Sequence, residues 1–197
     1  MLTSPPLSEY ARLVNKVSHN LGANLFAPLM AVARGQRTYA AGMEQVRDYL
    51  VREIGIASES FTLPNASGAP EDAVTPHAQT SLLREIARRP DAKDLVTSMP
   101  VIGVDGSLAD EIPRDDPAVG HIRAKTGTLV GPVDGRPGLM TKALAGYIDA
   151  RSGRKLVFAL YLNDVPGRTE QVSDAIDMAL RANEQLGRIA ATIHGLY

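Results

Sequence analysis

Apolar residues recur at helical spacing through roughly the first ninety positions of the chain and at strand spacing after it. Ser4-Pro5-Pro6 is extended, because each Pro fixes φ and keeps its predecessor out of the helical region. From about Ser8, the i, i+3, i+4, i+7 spacing of Tyr10, Leu13, Val14 and Val17 predicts a helix. It stops near Ser18-His19-Asn20, residues that favour caps and turns. Leu21, Leu25, Leu29 and Val32 predict a second apolar-faced helix ending at Gly35. A third covers about 39–54, through Met43, Val46 and Leu50, with Gly55 as its stop. Thr75-Pro76 reads as the N-cap and first residue of a fourth, with Leu82, Leu83, Ile86 and Ala87 on one face.

The period then shortens. Segments 120–129, 143–150 and 155–163 predict strands, the last two joined as a hairpin around Arg151-Ser152-Gly153-Arg154. A long final helix, about 172–194, carries Val172, Ile176, Ala179, Leu186, Ala190 and Ile193 along one stripe. The fold class is α+β: helices first, then an antiparallel three-strand unit covered by a C-terminal helix. Segments 63–70 and 112–117 are the main loops. The 197 residues suit a single domain, and a boundary between 57 and 75 is only weakly signalled.

Composition narrows the function classes. Residues 1–98 carry ten acids and ten bases, and residues 99–197 twelve and eleven, so no electrostatic footprint for nucleic acid or an anionic membrane exists. With no cysteine, disulfides, thiolate metal sites and cysteine nucleophiles are excluded. The longest apolar run, Leu25 to Ala33, is nine residues, against the roughly twenty a membrane span needs. The start, Met1-Leu-Thr-Ser-Pro-Pro-Leu7, lacks the basic flank and apolar core of a signal peptide.

Lys125-Thr126-Gly127-Thr128 ends a predicted strand. Lys supplies a fixed cation, two Thr hydroxyls can bind a carboxylate, and Gly lets a ligand lie against the backbone. An ordinary strand end is the plainer alternative. It is not a phosphate-binding loop, since Ala124 stands where the second Gly belongs. Ser18-His19-Asn20 offers a hydroxyl and an amide at a helix junction, and capping alone would explain it. Ser152-Gly153-Arg154-Lys155 has the spacing of a Lys-activated serine, but that chemistry needs a helical turn and these four straddle a hairpin. His19, His77, His121 and His194 show no metal-ligand spacing, and Asp110-Glu111 and Asp115-Asp116 read as a solvated loop. No metal or cofactor is expected.

Taken in order, these pieces resemble the penicillin-binding serine D-Ala-D-Ala carboxypeptidase/endopeptidase family typified by low-molecular-mass class C penicillin-binding proteins (peptidase family S13). Ser4-Pro-Pro-Leu7 with Asn15-Lys16-Val17-Ser18-His19-Asn20 resembles the lead-in to the family's Ser-x-Asn motif. Leu63-Pro-Asn-Ala-Ser-Gly68 is similar to its Asp-Gly-Ser-Gly-Leu segment, and Met99-Pro-Val-Ile-Gly-Val-Asp-Gly-Ser-Leu108 to the segment before its third motif. Arg123-Ala-Lys-Thr-Gly-Thr-Leu129, then Ala143-Leu-Ala-Gly-Tyr147, resembles its Lys-Thr-Gly strand and the next.

The resemblance implies the C-terminal part of the penicillin-binding/serine β-lactamase-like transpeptidase fold. It also implies acyl transfer through a serine ester on peptidoglycan stem peptides ending in D-Ala-D-Ala, outside the cytoplasmic membrane, with β-lactams as mimics. Ser18 would relay a proton to the leaving group, and Asn20 would hold the substrate's peptide carbonyl. Lys125 would supply positive potential and support Ser18. Thr126 and Thr128 would bind the terminal carboxylate, with Gly127 open beside them and the Thr128 N–H as one oxyanion donor.

Departures from the family pattern set further expectations. The nucleophilic Ser-x-x-Lys precedes Ser-Pro-Pro-Leu in the family, so no nucleophile is assigned here and the chain alone should not form an acyl-enzyme. His19 replaces an Asp, and Asn65-Ala66 replaces Asp-Gly. Residues 131–138 form a longer Gly/Pro-rich connection between the two strands. Strand 155–163 would be an apolar edge, to be covered by another copy or by an N-terminal segment. A non-catalytic relic that binds stem peptides or another protein is the alternative function. A class A β-lactamase is a third, which the Ser-Pro-Pro-Leu and Pro-Val-Ile-Gly-Val-Asp-Gly segments disfavour.

Overall fold

The computed structural model describes residues 3–197, so Met1 and Leu2 of the start that was compared with a signal peptide lie outside the described residues. Two compact units divide at Ser98 and Met99, away from the 57–75 stretch.

The first unit is helical. It contains α1 (Leu7–Val17), α2 (Asn20–Asn24), α3 (Phe26–Ala33) and α4 (Tyr39–Asp48). A π-helical turn, Tyr49–Glu53, extends α4 and closes with the Ile54 N–H donating to Tyr49 O at 3.1 Å. A two-residue ribbon, β1 (Phe61–Thr62) with β2 (Ala73–Val74), precedes α5 (Pro76–Ala87) and α6 (Ala92–Ser98). Thr75 caps α5 as its sequence predicts: Oγ1 accepts from the Ala78 N–H at 3.2 Å, and Pro76 occupies the first turn. Gly35 (φ 74°) stops α3, where the N–H groups of Gly35 and Gln36 satisfy Val32 O and Ala31 O. The core is Leu50, Ile56, Phe61 and Ala78, with Val46, Tyr49 and Leu82 packed against it.

One expectation fails here. The second predicted helix is broken at Leu25 into α2 and α3. Its apolar stripe, Leu21, Leu25, Leu29 and Val32, is 48–68% exposed, while Gly22, Ala27 and Ala31 are buried. The reason is the closeness of α3 to α4: a Cβ at Gly42 would stand 1.9 Å from Ala27 O. Only small residues fit that seam, so the large ones face outward.

The second unit is an antiparallel meander, β3 (Ile122–Val133), β4 (Arg136–Asp149) and β5 (Lys155–Pro166), in the order β3-β4-β5. The final helix α7 (Val172–Leu196) covers one face. Ile122, Ala124, Leu144, Ile148 and Phe158 point to that side and form one core with Leu186, Ala190, Ile102 and Leu108. The α7 seam is also built of small residues, Ala175, Ala179, Ala182, Gly187 and Ala190; Val172 and Ile176 of the predicted stripe lie outside it.

The strands are longer than the sequence suggested. Residues 131–138 are not a loose connection but the end of the β3–β4 hairpin, closed by Asp134 (φ 51°) and Gly135 (φ 79°). Two consecutive left-handed residues make the tight turn whose twist matches paired strands, for which Asp-Gly is a favoured sequence. Met140 is an extra residue where the register shifts between Leu129 and Val130. Beyond this bulge the side chains change face, so Leu139 joins Val130, Leu162 and Val165 against Ala179 and Ala182.

The 151–154 turn joins β4 to β5 as expected. Ser152 Oγ accepts from the Arg154 N–H at 3.4 Å and Lys155 Nζ pairs with Asp149 at 3.0 Å, so this Ser-x-x-Lys is turn chemistry. Strand β5 pairs with β4 alone among the described residues. Its Leu156, Phe158, Leu160 and Leu162 pack toward α7, so the exposed edge is backbone rather than apolar side chain. Among the described residues no helix is long and apolar enough to cross a membrane, and no group of three His, Asp or Glu side chains is placed to hold a metal ion.

Candidate substrate-binding site

In the first unit, Ser18 and Asn20 lie at the α1–α2 junction and both are exposed. Ser18 ends α1 in the left-handed region (φ 54°, ψ 51°), and the N–H groups of Ser18 and His19 both reach Val14 O. A non-Gly residue holds that conformation at a cost of about 1–2 kcal/mol. His19 is the N-cap of α2, its Nδ1 accepting from the Gly22 N–H at 2.9 Å. That bond requires Nδ1 unprotonated. The departure from the family's Asp therefore has a local account, since both residues can cap. Gly22 sits in a tight place: a Cβ there would lie 2.6 Å from Val14 Cγ2 and 2.8 Å from His19 Nδ1, so one of those side chains would have to move.

The 65–68 segment is an ordered turn in the same unit. Asn65 Oδ1 accepts from both the N–H and Oγ of Ser67, each at 2.7 Å. The Ala66 N–H donates to Tyr39 OH at 2.8 Å, and Tyr39 OH donates to Asn24 Oδ1 at 2.8 Å. Asn15 Nδ2 donates to the buried Ser98 Oγ at 2.7 Å, tying α1 to α6.

In the second unit, Lys125, Thr126, Gly127 and Thr128 follow one another along β3, the outer strand of the sheet. Among the described residues, the outer edge of β3 is paired at its start: Ile102 N–H donates to Ile122 O at 3.0 Å, and Ala124 N–H donates to Pro100 O at 3.1 Å. Because peptide groups alternate along a strand, the Thr126 and Thr128 groups point to the same edge as that of Ala124. A ligand chain could add to β3 there.

The side chains are fixed from both faces. Lys125 is half-buried, and Nζ donates to Thr126 O at 2.7 Å. Burial, and then the positive charge of Lys142, push its pKa down to about 8. Thr126 Oγ1 shares a hydrogen bond at 3.0 Å with Ser107 Oγ, in the 3-10 turn Gly106–Leu108. Asp105 fixes that turn by accepting from the Val101 N–H at 2.8 Å. Thr128 Oγ1 accepts from Lys142 Nζ at 2.8 Å. Gly127 is open: a Cβ there would meet only Ala143 Cβ, at 3.4 Å.

Ser107 and Lys142 were not singled out in the sequence. Ser107 was visible inside the Val104-Asp-Gly-Ser107 segment. Nothing marks Lys142 until the strand register pairs it with Thr128.

Comparison with known proteins decides the family. The D-Ala-D-Ala carboxypeptidase 3 (S13) family matches residues 1–185. The chain belongs to that family. A relative, carboxypeptidase DacB of Mycolicibacterium smegmatis, is 31% identical over 185 residues, which are 91% of this chain and 38% of the relative. Penicillin-binding protein 4 of Haemophilus influenzae superposes with a TM-score of 0.71 at 23% identity, over 93% of this chain and 40% of that one. A predatory endopeptidase of Bdellovibrio bacteriovorus, solved in complex with an immunity protein, gives 0.67 at 20% identity, over 98% and 45%. At these identities the likeness shows the penicillin-binding α+β fold. This S13 chain spans about two fifths of the length of the first two relatives.

Proposed function

We propose that the chain carries the substrate-holding residues of a serine D-Ala-D-Ala carboxypeptidase/endopeptidase of peptidoglycan metabolism, working outside the cytoplasmic membrane. Family membership supports the reaction class. The observation that carries the reading is the Lys125–Thr128 strand: two hydroxyls each fixed by a hydrogen bond, a half-buried ammonium held on Thr126 O, and a glycine between them that the packing leaves room around.

In this reading the stem peptide lies along the β3 edge with its terminal carboxylate on the Thr126 and Thr128 hydroxyls. Lys125 supplies positive potential. The Thr128 N–H stabilises the oxyanion, an interaction of a kind worth about 3–4 kcal/mol in hydrolases where it has been removed. Ser18 passes a proton to the leaving amine and Asn20 holds the substrate's peptide carbonyl. A β-lactam occupies the same groups.

The attacking hydroxyl is not assigned to any residue of this sequence, whose one Ser-x-x-Lys is the 152–155 hairpin turn. The 197 residues by themselves therefore bind but do not cleave. Incubation with a fluorescent penicillin tests this: the expected result is no covalent adduct. An adduct on any serine, or release of D-alanine from a pentapeptide mimic, would overturn it.

A further inference from the structure

Lys142 is a buried lysine, 5% exposed, within a three-stranded sheet. Thr128 and Lys142 are partners in the β3–β4 register. Theirs is a non-hydrogen-bonded pair, the kind in which facing side chains stand closest. The ammonium lies 2.8 Å from Thr128 Oγ1. Glu111 is the acid whose charge Lys142 feels, and Asn183 Nδ2 donates to Glu111 Oε1 from α7. The other cation nearby is Lys125, whose ammonium reaches Thr126 O.

An ammonium has three N–H donors and no acceptor. Bonded to one, Thr128 Oγ1 can only accept along that line, and its own proton must point elsewhere. Thr126 has no such constraint, because its partner is the Ser107 hydroxyl, which can donate or accept. We propose that Lys142 is a positioning residue: its ammonium holds Thr128 Oγ1 as an acceptor so that the Thr128 O–H is committed to donating to a ligand carboxylate. The inference rests on the reading of Thr128 as a carboxylate ligand and extends it to a residue that touches no substrate. It makes Lys142 a determinant of preference for a free carboxylate over an amide. An amide can be met by either orientation of a hydroxyl, whereas a carboxylate accepts only donors.

The experiment is an NMR titration of the 197-residue chain with N-acetyl-D-Ala-D-Ala and, separately, its C-terminal amide. Wild type should favour the carboxylate. Lys142→Met removes the donor. Lys142→Gln replaces it with a group that can also accept, releasing the orientation. Both should lower the carboxylate-over-amide ratio roughly tenfold, the loss expected for one charge-assisted hydrogen bond. Lys142→Arg, still a pure donor, should keep the ratio. A purely structural role would weaken both ligands equally and leave the ratio untouched. A retained ratio in Lys142→Met sinks the positioning role alone. Absence of carboxylate preference in wild type sinks the carboxylate reading and this inference together. Failure of Lys142→Met and Lys142→Gln both to give a cooperative melt would make Lys142 a structural residue and overturn the proposal.

Discussion

A methyl group added at Gly127 would stand 3.4 Å from Ala143 Cβ, an ordinary contact, whereas one added at Gly146 would stand 2.1 Å from Arg123 O. The two glycines lie on neighbouring strands and have different reasons to be there. Gly146 lets β3 and β4 approach; Gly127 leaves room that the fold itself does not use.

Gly127→Ala is therefore expected to change stability by no more than about 1 kcal/mol while abolishing binding of N-acetyl-D-Ala-D-Ala. Gly146→Ala should cost about 3 kcal/mol through forced strand displacement. Urea melts and ligand titration of the two variants check the contrast. Equal destabilisation by both would show that Gly127 serves packing.

The lowered pKa of Lys125, about 8, gives binding a pH signature. Below pH 8 the ammonium is charged, and carboxylate binding should hold. Above it the charge is lost, so affinity should fall between pH 8 and 9.5, well before an ordinary lysine titrates. For stability the sign is opposite. Between about pH 8 and 10.5 the unfolded chain carries a proton that folded Lys125 has released, so this group makes folding more favourable as pH rises through that window. Titrations from pH 6.5 to 10, with Lys125→Met as reference, separate the two effects.

His19→Ala should cost about 1 kcal/mol by removing the α2 cap, and His19→Asp should restore it. Thermal melts of the two variants at neutral pH provide the check. If His19→Asp is as unstable as His19→Ala, the cap is not what His19 provides.

The edge of β5, unpaired among the described residues, should make the chain self-associate at tens of micromolar. Sedimentation velocity should show species heavier than monomer. A strictly monomeric 197-mer at that concentration would show the edge to be sufficiently protected as it stands.

Much of the helix punctuation was legible because single residues dictate it: Thr75-Pro76 at a start, Gly35 and Gly55 at stops, Gly153 in a turn. The Lys125–Thr128 strand and the Ser18–Asn20 junction were also legible in position. What periodicity missed was which apolar residues lie inside. It ranks Leu21, Leu25, Leu29 and Val32 as core because they are large, but seams closed to backbone contact select Gly22, Ala27, Ala31 and Gly42 instead. The 131–138 hairpin is hard to see in the sequence because its Pro and Gly residues read as loop formers and mask Asp134-Gly135, a two-residue turn signal. Lys142 was invisible because its meaning lies across the strand, in Thr128, rather than along the sequence.

Past the Met140 bulge, the β3–β4 hairpin is regular ladder out to Asp134 and Gly135. Such a ladder can be trimmed or lengthened only in matched steps of two residues on each arm if its tip is to survive, because pair type and side-chain face both alternate residue by residue. Evolution or an engineer could thus vary the reach of this finger like a telescoping rod, grafting new chemistry at its end while the Lys125–Thr128 strand at its root stays in place.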